Sequence, residues 1–204
     1  MFSNVEKTID KTSSFELSTE RKLVLQPLID FVQKKVDSNE EIRLNFICTH
    51  NSRRSHLGQI WAQTMAFHFG IQNVFCYSGG TEETAMFYKV GETLQNQGFE
   101  VLKLSNEENS VYAIKYAENE LPVIGFSKKY DNNFNPKSGF AAIMTCSQAD
   151  GGCPFIAGAE KRIPITYNDP KEFDNTELMN VNYEERSLEI ASEMFYVFSN
   201  VKLK

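Results

Sequence analysis

The chain has 204 residues, of which 41% are hydrophobic and 24% are charged, and its formal net charge is −6. These values are ordinary for a single globular domain that buries a sizeable core. The acidic balance argues against a general nucleic-acid-binding surface. No apolar run approaches the roughly 18 residues that a membrane span requires. We therefore expect neither a nucleic acid nor a membrane as a partner.

Residues 1–40 are predicted to be an N-terminal extension of an α/β domain that covers residues 41–204. Residues 1–20 are polar, and we expect them to be loosely held. This stretch carries charges throughout and lacks an apolar centre, so we expect no signal peptide. Apolar residues then recur at helical spacing from Leu25 to Val36, which predicts an amphipathic helix. Four cysteines without a secretion signal indicate reduced thiols in a cytoplasmic protein.

Strand and helix signals alternate from residue 42 onward. IRLNFIC (42–48) and NVFCYSG (73–79) are short apolar runs typical of strands. Helices are predicted over residues 56–70 and 81–98, and each ends at a glycine. This alternation is typical of a parallel α/β sheet.

The alternation is interrupted between about residues 101 and 131, where three strand-like runs predict an antiparallel β insertion. We refer to these residues as the β insertion. Strands are predicted again in FAAIMTC (140–146) and RIPITY (162–167), and a helix is predicted over residues 182–202.

Residues 48–55, CTHNSRRS, connect the first strand to the next helix, and we call them the oxyanion loop. At the carboxyl end of a parallel strand, backbone N–H groups and the helix dipole favour an anion. Arg54 adds a planar fork that suits two oxygens of a tetrahedral oxyanion. The same positive field favours the thiolate of Cys48, the form that acts as a nucleophile. The alternative is a small buried cysteine in a chance motif, but the position between strand and helix favours function.

The loop resembles the phosphate loop of the low-molecular-weight protein tyrosine phosphatases and of the arsenate reductases built on that fold. Their shared pattern is Cys, five residues, Arg, then Ser or Thr, with Asn three positions after the cysteine, and Asn51 matches it. YSGGTE (77–82) resembles the end of their second strand, and NDP (168–170) resembles their aspartate loop. The resemblance covers about residues 42–198.

This resemblance implies a loop that binds arsenate or phosphate, with Asp169 as the proton donor to the leaving oxygen. The loop residues are Thr49, His50, Asn51, Ser52, Arg53, Arg54 and Ser55. Arg54 holds the signature position, so we expect Arg53 to face solvent or a substrate. The family usually has glycine where this chain has His50, and histidine is among the residues enriched at positive φ.

TCSQADGGCP (145–154) contains Cys146 and Cys153, and it resembles the redox segment of thioredoxin-coupled arsenate reductases. Plain phosphatases of this fold lack that pair. The resemblance implies that Cys48, Cys146 and Cys153 act in a relay regenerated by thioredoxin or a similar thiol. Two alternatives are a core thiol with an incidental surface thiol, or a zinc site. The spacing, with no nearby histidine, is a poor match for zinc.

Pattern and resemblance together predict an α/β fold with a small doubly wound sheet of about four parallel strands in the order 2-1-3-4. Helices flank this sheet, and the β insertion and an extra N-terminal helix are added to it. Cys76 is expected in the core, and His56 and His68 are expected at the helix surface or the edge of the core. Some arsenate reductases place a potassium-binding glutamate where this chain has Gln59, so we predict no metal and no cofactor.

Three functions remain open from the sequence. The chain is a thiol-dependent arsenate reductase, a phosphatase acting on phosphotyrosine or small phosphate esters, or a non-catalytic oxyanion-binding module. The presence of both a nucleophile and an acid makes the binding module the least favoured.

Overall fold

A computed structural model describes residues 1–152 and 155–203. The strands are Ile42–Cys48 (β1), Val74–Gly80 (β2), Glu100–Lys103 (β3), Tyr112–Lys115 (β4), Val123–Gly125 (β5), Phe140–Met144 (β6) and Ala159–Pro164 (β7). The helices are Ser3–Thr12 (α1), Thr19–Ser38 (α2), Arg54–His68 (α3), Tyr88–Asn96 (α4), Ser147–Gly152 (α5) and Met179–Ser199 (α6), with a 3₁₀ helix at Pro170–Phe173.

The main sheet consists of four parallel strands in the order β2-β1-β6-β7. Numbered among themselves these strands run 2-1-3-4, so the predicted fold class and strand order are confirmed. In the central strand β1, Cys48 pairs with Gly80 of β2, and Ile47 pairs with Met144 of β6. Because the strands are parallel, the residues that follow β1, β2 and β6 meet at one edge of the sheet.

The second sheet is antiparallel, with the order β3-β4-β5. It confirms the β insertion. After β5 the chain returns to the main sheet, where Gly80 forms a parallel bridge with Lys129. The β insertion is therefore joined directly to the end of β2, next to the oxyanion loop.

Helix α3 carries the oxyanion loop at its N-terminus and packs closely on β1. A Cβ at Gly58 would lie 2.5 Å from the Phe46 ring, so this approach requires glycine. Trp61 is fully buried in the same helix, and its indole N–H donates to Ser187 of α6 at 2.9 Å. These contacts fix α3, and with it the loop, between the sheet and the last helix.

The N-terminal residues are more ordered than the sequence suggested. Residues 3–12 form α1, and its Val5 and Ile9 belong to the same core as the main sheet. The expectation that residues 1–20 are loosely held was therefore wrong. Helix α1 has few apolar residues, so its sequence gives only a weak helical pattern. Those residues are buried against the rest of the domain, and this tertiary packing stabilises the helix.

Helix α4 is shorter than predicted, because it begins at Tyr88 and not near residue 81. The N–H groups of Thr81, Glu82 and Phe87 donate to carbonyl oxygens of the oxyanion loop at 3.1, 2.8 and 3.0 Å. These residues brace the loop in place of forming the first turns of a helix. In the part of the chain that the structure describes, no helix is long and apolar enough to cross a membrane.

Candidate active site

Cys48 is the last residue of β1, and its side chain is almost completely buried. Its Sγ lies 3.1 Å from the Ser55 hydroxyl in the first turn of α3. None of the backbone N–H groups of residues 50–53 donates a hydrogen bond to another described residue. Free N–H groups at a helix N-terminus are suited to binding an anion. The loop therefore combines a thiol with donors for an oxyanion.

Asn51 is the strained residue of the loop, with φ of 45°. Its side-chain amide donates to Ser55 Oγ at 2.8 Å and accepts from the Lys128 backbone N–H at 2.9 Å. A non-glycine residue at positive φ persists where its surroundings hold it there. Gly80 leaves room for this conformation, since a Cβ there would lie 2.8 Å from the Asn51 nitrogen.

His50 does not adopt the positive φ that its position in the motif suggested, because Asn51 takes it instead. The His50 imidazole lies 3.4 Å from a Glu82 carboxylate oxygen, and its carbonyl accepts from Ser127 Oγ at 2.9 Å. A side chain is therefore tolerated where the family usually has glycine.

Arg54 is buried beside the loop and connects it to the aspartate loop. Its guanidinium donates to the Tyr167 carbonyl at 2.9 Å and forms an ion pair with Asp169. The other Asp169 oxygen accepts from Lys171 N at 3.1 Å and caps the 3₁₀ helix. The structure thus brings the predicted arginine and the predicted acid into direct contact.

Arg53 does not face solvent or a substrate, as the sequence had suggested. Its side chain is 11% exposed and donates to Asp174 at 2.5 Å and to the Tyr183 hydroxyl at 2.5 Å. The guanidinium also lies 4.2 Å from the centre of the Phe87 ring. The ion pair with Asp174, the hydrogen bond to Tyr183 and the stacking on Phe87 hold the guanidinium in this position. Arg53 therefore anchors the segment that follows Asp169.

Cys146 lies beside the oxyanion loop, two residues after the end of β6. Its sulfur lies 3.4 Å from Thr49 Oγ1 and accepts from Ala149 N at 3.3 Å. Cys48 and Cys146 belong to one buried apolar cluster and are both free thiols. Cys153 lies outside the described residues. Cys76 is buried in the core as expected, and burial raises the pKa of its thiol.

A pocket of about 400 Å³ lies next to the loop. It is lined by His50, Gln148, Asp169, Lys171 and Glu172. None of these lining residues is Phe, Tyr or Trp. Among the described residues, no group of three or more His, Cys, Asp or Glu side chains is placed to hold a metal ion.

Two residues behind the loop were missed by sequence reasoning. His56 is fully buried and not at the surface or core edge, and its Nε2 lies 2.8 Å from the Asn51 carbonyl. Lys128 is also fully buried, although lysine seldom is. His56 directly follows the loop motif, which is a usable signal. Lys128 comes from the β insertion, and no local pattern marks it.

The comparisons with known proteins place this geometry in a fold. No protein-family model matches the sequence, and no curated protein matches it. A low-molecular-weight phosphotyrosine phosphatase structure from Vibrio cholerae O395 is 13% identical, with a TM-score of 0.51 over 78% of this chain and 94% of that one. This chain has the low-molecular-weight phosphotyrosine phosphatase fold.

Two further structures share this fold. A mutant of YwlE from Bacillus subtilis is 11% identical, with a TM-score of 0.51 over 78% of this chain and 97% of that one. An arsenate reductase structure from Archaeoglobus fulgidus DSM 4304 is 15% identical, with a TM-score of 0.50 over 76% of this chain and 98% of that one. The low-molecular-weight phosphotyrosine phosphatase fold therefore includes both phosphatase and reductase neighbours, and the residues must decide between the reactions.

Proposed function

We propose that this chain is a cysteine-dependent oxyanion enzyme that reduces arsenate to arsenite. The observation that carries the proposal is the position of Cys146 beside Thr49, next to a loop that already offers Cys48, Arg54 and free backbone N–H groups. A second thiol at this position has no part in phosphate hydrolysis. It is needed when electrons must be passed to the bound oxyanion.

The first step is a nucleophilic substitution at arsenic. The Cys48 thiolate attacks arsenate, a sulfur–arsenic bond forms, and one arsenic–oxygen bond breaks. The leaving oxygen takes a proton from Asp169 and departs as water. In the ligand-free protein Asp169 is paired with Arg54, so the arriving oxyanion competes with Asp169 for the guanidinium. This exchange puts the guanidinium on the anion, and the unpaired Asp169 carboxylate takes up a proton from solvent, which it then donates to the leaving oxygen.

The second step transfers two electrons to arsenic. The Cys146 thiolate attacks Cys48 Sγ, the sulfur–arsenic bond breaks, and its electron pair stays on arsenic as arsenite leaves. A Cys48–Cys146 disulfide results. Cys153 then attacks Cys146, which frees the Cys48 thiolate and leaves a Cys146–Cys153 disulfide. A thioredoxin-like dithiol reduces that disulfide and takes the two oxidising equivalents away.

The pocket beside the loop supports a small inorganic substrate over phosphotyrosine. Its five lining residues are polar or charged, and they include neither Phe, Tyr nor Trp. The nearby aromatic residues Phe87 and Tyr183 are engaged by Arg53.

A phosphatase is the second candidate, because the contact between Arg54 and Asp169 serves phosphoryl transfer as well as it serves arsenate reduction. Phosphoryl transfer through Cys48 requires a nucleophile, an arginine fork and an acid, and water resolves the phosphocysteine. Cys48 and Arg54 of the oxyanion loop, together with Asp169, supply this set. The two candidates therefore differ only in the use of Cys146 and Cys153.

Parallel turnover assays test the proposal. Purified protein is given arsenate with thioredoxin, thioredoxin reductase and NADPH, and separately an aryl phosphate without reductant. We expect multiple turnovers of arsenate, measured as NADPH oxidation and arsenite release. Cys76→Ala serves as a matched control, because this buried thiol lies outside the loop, and it should turn over like the wild type. Hydrolysis of the aryl phosphate with no arsenite formed would support the phosphatase instead.

A further inference from the structure

Gln148 is the residue of α5 that lines the pocket beside the oxyanion loop. The other four lining residues come from the oxyanion loop and from the segment at the 3₁₀ helix. Gln148 follows Cys146 by two residues, so the segment that carries the second thiol also contributes a side chain to the pocket. The steps of the proposed reaction give this side chain no role.

The Gln148 carboxamide is held at its oxygen and free at its nitrogen. Thr49, the residue after the nucleophile, donates from its hydroxyl to Gln148 Oε1 at 3.3 Å. The same hydroxyl oxygen lies 3.4 Å from Cys146 Sγ. An amide nitrogen carries two N–H donors, and no described residue accepts from those of Gln148. The pocket therefore contains a pair of unused donors, one hydrogen bond away from the oxyanion loop.

A bound oxyanion supplies an acceptor for these donors. Displacement at a tetrahedral centre proceeds in line, so the oxygen opposite Cys48 Sγ points away from the loop. That oxygen faces the pocket, which Asp169 and Gln148 both line. Asp169 protonates it when it leaves, and before that step it is a charged acceptor. Hydrogen bonds to charged acceptors are stronger than those between neutral groups.

We propose that Gln148 binds the oxyanion, with its Nε2 donating to the oxygen that faces the pocket while Thr49 holds its Oε1. An oxyanion in the loop thereby orders α5. When that oxygen departs as water, the contact ends, and α5 is free to bring Cys146 to Cys48. This last step rests on the proposed function, whereas the contact with the anion serves a phosphatase equally.

Two substitutions separate the amide donors from added charge. Gln148→Glu keeps an oxygen for Thr49 but replaces the donors by a carboxylate, which repels the anion. Gln148→Met removes the donors and adds no charge. Gln148 is exposed, so neither change disturbs the core. The control is Gln72→Glu, which adds the same charge at an exposed residue before β2, at the opposite end of that strand from Gly80.

Two measurements use inorganic phosphate as the probe, and neither needs turnover. Calorimetry gives the phosphate affinity, and hydrogen exchange followed by mass spectrometry gives the exchange rates of residues 147–152 with and without saturating phosphate. In the wild type we expect phosphate to slow this exchange roughly tenfold, the effect of one hydrogen bond to a charged group. Gln148→Met should bind phosphate roughly tenfold more weakly and lose the protection of α5. Gln148→Glu should bind phosphate more weakly still, and Gln72→Glu should match the wild type.

Gln148→Met decides the outcome. Wild-type phosphate affinity or wild-type protection of α5 in this variant would overturn the proposal, even if Gln148→Glu binds weakly, because the new charge would then act alone. Phosphate that leaves exchange in α5 of the wild type unchanged would overturn it as well. A protein that shows the expected effects but reduces no arsenate would overturn the proposed function and leave the contact between Gln148 and the anion standing.

Discussion

The oxyanion loop and the segment that carries Cys146 follow neighbouring strands of one sheet, but they are held very differently. Asn51 is held by hydrogen bonds from both its backbone and its side chain, and it lies so close to Gly80 that a Cβ there would be 2.8 Å from the Asn51 nitrogen. By contrast, α5 has only six residues, and a Cβ added at Gly151 or Gly152 would meet nothing within 4 Å.

This difference fits the two tasks of the proposed reaction. A nucleophile is most effective when its geometry is fixed before the substrate arrives. A thiol that carries electrons away must instead approach two partners in turn, first Cys48 and then a second thiol. Open space at the end of α5 permits that approach, since glycine there also gives backbone freedom. The predictions below are ordered by the size of the expected effect.

Replacing the nucleophile should have the largest effect. Cys48→Ser is expected to lower both arsenate reduction and any aryl phosphate hydrolysis by roughly a thousandfold or more, because serine does not ionise near neutral pH. Steady-state assays of both reactions measure it. Residual activity above a tenth of wild type in either assay would remove Cys48 from its role.

Substitutions at the adjacent residues Arg53 and Arg54 should have different effects, because Arg54 is expected to bind the oxyanion and Arg53 to stabilise the fold. Arg54→Lys is expected to weaken phosphate binding and slow turnover by roughly a hundredfold, because a point charge replaces a planar fork. Arg53→Lys should instead lower the melting temperature, since Arg53 is bound to Asp174 and Tyr183, while phosphate affinity changes little. Calorimetry with phosphate and thermal unfolding measure the two effects. Equal losses of affinity in both variants would contradict this division.

Buried His56, which supports the oxyanion loop at Asn51, should make the stability of the fold depend on pH. The pKa of His56 in the folded protein is about 3, below the ordinary 6.5, so between these values the unfolded chain binds a proton that the folded protein does not. Stability therefore falls as pH falls through this window, and His56 accounts for roughly 3 kcal/mol between pH 7 and pH 4.

Urea unfolding of His56→Gln at the two pH values measures this contribution. The variant should lose less stability on acidification than the wild type. His68→Gln, at an exposed position of the same helix, is the control and should keep the wild-type pH dependence. A wild-type slope in His56→Gln would show that His56 is not the acid-sensitive group.

The smallest effect is expected in the redox segment. Asp150 of α5 pairs with Arg162 at 2.5 Å, and both side chains are partly exposed. Exposed ion pairs contribute at most about 1 kcal/mol, and Arg162 also bonds the Asp150 carbonyl. Asp150→Asn should therefore change stability by less than about 1 kcal/mol and leave arsenate turnover within roughly twofold. A tenfold loss of turnover would mean that α5 must be held as firmly as the oxyanion loop.

The local sequence pattern predicted the parallel sheet, its helices and the oxyanion loop, because hydrophobic periodicity and turn-forming residues depend only on residues close together in the sequence. It failed where long-range contacts decide. Helix α1 is stable only because Val5 and Ile9 reach the common core. Hydrogen bonds to the oxyanion loop hold the residues before α4 out of the helix, and Lys128 reaches Asn51 from the segment that follows β5. Such contacts leave no signal at the residues themselves.

The most direct test of the central claim is a single turnover of Cys153→Ser with arsenate in the absence of reductant. The account predicts one equivalent of arsenite and a Cys48–Cys146 disulfide, seen by mass spectrometry as the loss of two hydrogens and as linked peptides. Phosphate replaces arsenate in the control and should give no disulfide, because it accepts no electrons. If arsenate yields neither arsenite nor the disulfide while the variant still hydrolyses an aryl phosphate at the wild-type rate, the relay does not exist and the protein is a phosphatase.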